Sequence, residues 1–183
     1  MVSRIIILCE EPKTRFAFPT ALVLQSCGRE IYFCHTIEKC VEAFESIKDL
    51  HSSSICIMFP LILDYEYSDF GWSGTRKPTL VGLDYFTIFQ PYFVTDENLK
   101  LLTHIYVIAN YSKKGLKLGL TDLVDWEGVA NQLVVKGCKL AESYVAAANM
   151  FVLDDLNNSN LSFNYSQEID IPAPLPKTNI NCV

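Results

Sequence analysis

The residues able to do chemistry in this chain are scattered, and few stand at the spacings that chemistry needs. Cys34 and His35 place a thiol beside a base. Adjacent strand residues point to opposite faces, however, and no third group is placed to orient the imidazole, so both read as structural. His51 and His104 stand at element boundaries and read as solvent-facing. The seven cysteines are odd in number, show no CxxC spacing and fall mostly inside apolar segments, which is the pattern of reduced, buried thiols. Gly71-Trp-Ser-Gly74 has neither the length nor the lysine of a phosphate-binding loop. Tyr65, Tyr67, Phe70 and Trp72 concentrate aromatic surface in a polar stretch. Such a group either folds back as a lid or forms an interaction surface.

Composition narrows the classes further. Half of the 183 residues are hydrophobic and 20% are charged, the balance of a chain with a core. That length suits one domain of about 150 residues with a tail. A net charge of −6, without a Lys/Arg cluster interleaved with aromatics, argues against nucleic acid as a partner. The apolar runs reach about nine residues where a spanning helix needs about 20, so no membrane partner is expected. Met1 runs almost directly into an apolar strand with no leader-like order of segments, which points to a cytoplasmic protein.

The elements that must position any site follow from periodicity. Arg4 to Cys9 is a continuous apolar run ending in acids, as expected of a strand buried on both faces. A helix over Thr14 to Cys27 stops at Gly28. Glu30 to Cys34 forms a second strand, and Thr36 caps a helix with Ile37, Val41, Phe44, Ile47 and Leu50 at steps of three and four. Ser54 to Leu63 is a third strand limited by Pro60. Residues 64–79 lose all period and read as an inserted loop. Leu80 to Phe93 is helical, Glu97 to Leu102 adds a turn, and His104 to Ala109 is a fourth strand. Leu120 to Val124 suits a fifth, and the apolar pattern after Trp126 predicts one long helix over residues 127–153. Residues 154–183 read as a flexible tail containing Pro and Asn. Strands alternating with helices imply an α/β fold: a five-stranded parallel sheet, doubly wound, in a flavodoxin-like three-layer sandwich. Sites in such sheets lie beyond the carboxyl ends of the strands.

At those ends the chain resembles the receiver domain of bacterial response regulators, over about residues 3–145. The resemblance lies in Arg4-Ile-Ile-Ile-Leu-Cys-Glu-Glu-Pro12, Gly82-Leu-Asp-Tyr-Phe86, His104-Ile-Tyr-Val-Ile-Ala-Asn-Tyr-Ser112 and Gly119-Leu-Thr-Asp-Leu-Val-Asp-Trp126. It implies an acidic pair for Mg²⁺, an aspartyl phosphoacceptor after the third strand, a hydroxyl after the fourth and a lysine after the fifth. On this chain the acid-pair positions carry Cys9 and Glu10, followed by Glu11. The acceptor position falls near Phe59, the hydroxyl position on Ala109 and the lysine position on Trp126 or Asp125. Only Glu10 is a suitable group: a thiol is a poor ligand for a hard cation, and an indole or acid removes the charge that would bind phosphate.

The resemblance therefore implies a pseudo-receiver, a non-catalytic signalling module that binds another signalling protein, with a homodimer through the long last helix as a further possibility and with no metal or cofactor. Two alternatives stay open. In the first, Asp64 is an atypical phosphoacceptor, with Glu10, Glu11 and Glu66 or Asp69 holding Mg²⁺; otherwise these acids are a solvated loop. In the second, the domain is a flavodoxin-like binder of a small ligand beneath the aromatic loop.

Overall fold

The fold is taken from a computed structural model, which describes residues 3–9, 17–50, 54–63, 79–109, 126–160 and 181–182. The chain alternates strand and helix: β1 (Arg4–Leu8), α1 (Ala17–Ser26), β2 (Glu30–Cys34), α2 (Ile37–Ile47), β3 (Ile55–Pro60), β4 (Ile62–Leu63), β5 (Thr79–Leu80), α3 (Gly82–Thr95), α4 (Glu97–Leu102), β6 (Thr103–Ile108), α5 (Trp126–Val135), β7 (Lys139–Ala141), α6 (Tyr144–Asn160) and β8 (Asn181–Cys182). The main sheet runs β7-β6-β3-β1-β2-β8 with every pair parallel. Its five principal strands have the doubly wound, flavodoxin-like order 2-1-3-4-5.

Two cores sandwich the sheet, because strand residues alternate between its faces. Ile6, Leu8, Ile57, Phe59 and Val107 point to the layer of α2, α3 and α5, where Phe44 packs edge-on against Phe89 at 5.4 Å. Ile5, Ile7, Ile31, Phe33, Met58 and Tyr106 point to the layer of α1 and α6. All six residues of β3 are buried, as befits a central strand covered on both sides. Local signals hold where expected. The Thr36 hydroxyl accepts from the Lys39 N–H at 3.3 Å to cap α2, and Pro60 is the last residue of β3, in register with Ile108.

The expected single helix over 127–153 is instead two helices with a strand between them. Gly137 has φ +95°, its N–H bonds to Val134 O at 3.0 Å, and Cys138 N–H reaches Leu133 O at 3.0 Å. This pair of bonds closes a helix on a left-handed glycine and releases the chain into β7. The same device at Gly28, φ +79°, ends α1. The strand beside β6 is Lys139–Ala141; the strand expected over Leu120–Val124 lies outside the described residues.

The tail also needs correction at both ends. Asp154 to Asn160 continue α6, and Asn181–Cys182 pair with Tyr32 and Phe33 as a sixth strand. The insertion is closed at its base, where Ile62 and Leu63 pair antiparallel with Leu80 and Thr79. No described helix is long and apolar enough to cross a membrane.

Candidate functional site

Crossovers to opposite faces open the sheet at the carboxyl ends of β1 and β3, which is where doubly wound folds place their sites. Cys9 follows β1, its N–H donating to Cys34 O at 2.9 Å, and its side chain is buried toward α1 and α6. His35 Nδ1 lies 3.2 Å from Cys9 O, and the ring stands edge-on to Phe33 at 5.2 Å. The Cys34 side chain belongs to the opposite core, so thiol and imidazole are not a pair. The Cys34 thiol donates to Tyr32 O at 3.9 Å and lies against the buried thiol of Cys40 in the first turn of α2. That contact lowers the Cys34 thiol below its ordinary value and holds Cys40 well above it.

Phe59, at the acceptor position suggested by the resemblance, is 0% exposed, and its ring meets Tyr85 edge-on at 5.9 Å. Ala109 is half-buried after β6, its N–H donating to Ala141 O at 2.8 Å. Trp126 is displaced from its expected place. It opens α5, ahead of β7, and the residue that follows the fifth strand is Glu142, an exposed acid. Ser143 then caps α6, its hydroxyl accepting from Ala146 N–H at 3.1 Å. Cys9, Phe59 and Ala109 therefore stand at or beside the carboxyl ends of three neighbouring strands, and all three pack against the cores. Glu10, Glu11, Asp64, Tyr65, Tyr67, Phe70 and Trp72 lie outside the described residues. Among the described residues no group of three or more His, Cys, Asp and Glu converges to hold a metal ion.

Two features escaped the sequence. Tyr144 OH donates to Leu8 O at 2.7 Å, so the first turn of α6 satisfies the end of β1 from inside the core. At the opposite, amino ends of the strands, α6 is clasped by its own acids. Asp155 accepts from Ser3 Oγ at 2.5 Å and Ser54 Oγ at 2.9 Å, with Arg29 at 3.6 Å. Asp154 accepts from Tyr106 OH at 2.9 Å and from Lys139 Nζ. The lysine holds the Asp154 carboxyl below its ordinary range. Burial, reinforced by the Asp154 bond, pushes the Tyr106 phenol up. His104 is half-buried beside this clasp, 5.8 Å from the Phe151 ring, rather than solvent-facing; burial and then the Lys139 charge lower it. The only local sign of the clasp was an acidic pair within an otherwise uncharged helix.

The outer face of the α1/α6 layer carries large exposed apolar side chains. α1 has no charged residue, and it exposes Phe18, Leu22 and Val23; α6 exposes Val145, Leu153 and Leu156.

Fold and strand-end geometry together define a doubly wound α/β domain of flavodoxin-like strand order. No protein-family model matches this sequence, and no curated protein and no solved structure matches it.

Proposed function

We propose that the domain is a non-catalytic signalling module, receiver-like in layout, that acts by binding another protein. The observation that carries this is Phe59: where a receiver needs a solvent-reachable carboxylate, this chain has a fully buried ring packed on Tyr85. Phosphoryl transfer needs an acceptor oxygen beside a hard cation, and a phenyl ring supplies neither. The acidic Glu142 after β7 would repel a phosphoryl group where a lysine would attract one. What is left for function is surface, and the apolar outer face of α1 and α6 supports protein binding, with a second copy of the chain as one partner.

The test is incubation of the full chain with acetyl phosphate and Mg²⁺, followed by intact mass measurement. The expected result is no phosphoryl adduct. An adduct that disappears in Asp64→Asn would overturn the proposal in favour of an atypical acceptor.

A further inference from the structure

In a parallel ladder, successive residues turn their backbone N–H and C=O to alternate edges. Glu30 N–H bonds to Ser3 O, and Cys34 O accepts from Cys9 N–H, so the even-numbered residues of β2 face β1. The backbone groups of Ile31 and Phe33 therefore face outward, at the edge of the five-stranded sheet. All five residues of β2 are in register with β1 on the inner side. On the outer side, among the described residues, Tyr32 and Phe33 are matched by Asn181 and Cys182.

We infer that the outer edge of β2 is a strand-addition site, occupied in the isolated chain by its own C-terminal strand, and that its occupant in a complex is an extended segment of a partner protein running parallel to β2. The seated β8 shows that this edge accepts a strand, and in which direction. The two pairs described make a weak ladder, since each such hydrogen bond adds little net stability in water. Twenty residues separate α6 from β8, so β8 competes for this edge as part of the same chain. A partner strand pairing along all of Glu30–Cys34 would engage the backbone of both Ile31 and Phe33 and displace it. Register also sets the chemistry of that segment. A residue opposite Ile31 or Phe33 lies on the α1 side, beside the Phe18 ring that stands 5.7 Å from Phe33, and should be apolar. One opposite Tyr32 lies on the α2 side near Glu30, whose carboxylate accepts from Tyr32 OH, and should be polar or basic. The partner segment is thus an alternating apolar–polar strand. The choice of a protein partner rests on the proposed function; the edge itself rests on the pairing of β8.

The experiment uses the full chain and its Asn181→Pro/Cys182→Pro variant, with residue-resolved hydrogen exchange and a synthetic peptide of residues 178–183 as probe. The variant should exchange the Phe33 amide about tenfold faster, the equivalent of about 1.4 kcal/mol. The peptide, but not a scrambled one, should restore protection in the variant and bind the unmodified chain more weakly. Unchanged exchange at Phe33 in the variant, or peptide that leaves the variant unprotected at millimolar concentration, would overturn the inference. Either result would leave the proposed function standing, whereas an Asp64 phosphoryl adduct would remove that function without altering exchange at β2.

Discussion

His104 and Asp154 each give this protein a contribution to stability that is lost in acid, in separate pH windows. Burial holds the folded-state value of His104 below the roughly 6.5 of an unfolded histidine, so folding favours the neutral ring. Its contribution is whole above about pH 6.5 and is lost as pH falls from there through the lowered folded value. Asp154, depressed by Lys139, contributes above its unfolded value near about pH 4 and is lost as pH falls through its own folded value. Thermal unfolding followed against pH should therefore decline in two stages. His104→Gln should flatten the first stage and spare the second, while Asp154→Asn should do the reverse. At neutral pH, Asp154→Asn should cost about 1 kcal/mol, since the pair with Lys139 is partly exposed and screened. A single decline unaffected by His104→Gln would count against this account.

At the scale of elements, glycine placement decides the topology of the C-terminal half. Gly137 adopts φ +95° with open space where a Cβ would lie, so its role is conformational rather than steric. Gly137→Ala should lower stability by about 1 kcal/mol, read as a drop in the denaturant midpoint at constant slope. A neutral result would mean that packing of β7 against β6, rather than the turn, positions the fifth strand. The α2 unit was legible because Ile37, Val41, Phe44 and Ile47 recur at helical steps behind a Thr36 cap, all within a dozen residues. β7 was not. Three residues are too few for any period, and Val134, Leu133, Leu140 and Tyr144 suit a continuous helix as well as two helices with a strand between them. Once the fifth strand moves to Lys139–Ala141, the position after it passes from Trp126 to Glu142. On the proposed receiver-like reading, that position holds an acid where a receiver has a lysine.

At the scale of the whole molecule, the uncharged α1, with Phe18, Leu22 and Val23 exposed, and the exposed Val145, Leu153 and Leu156 of α6 put large apolar side chains on the outside of one helical layer. A two-fold interface sets like residues against each other, and the uncharged α1 brings no like charges together there despite the net charge of −6. Sedimentation at rising concentration should reveal a dimer that Leu22→Lys together with Leu153→Lys disperses. A monomer at the highest concentrations would restrict this face to partners of other kinds.

Short-range pattern was enough to establish a parallel α/β sheet. The apolar runs at Arg4–Leu8, Glu30–Cys34, Ile55–Pro60 and Thr103–Ile108 are strands as expected, because a strand covered on both faces must be apolar throughout. The same continuity hid which face each residue takes: nothing in Ile-Cys-Ile-Met-Phe-Pro says that Phe59 turns toward Tyr85, since both faces are dry. Tertiary structure alone decided that orientation. It also decided the clasp of Asp155 on Ser3 and Ser54, which are 152 and 101 positions away, and the seating of Cys182 beside Phe33. The physical reason is the same in each case. Periodicity and capping act over a few residues, whereas the partners that satisfy a buried acid or a sheet edge are brought together only when the sheet closes.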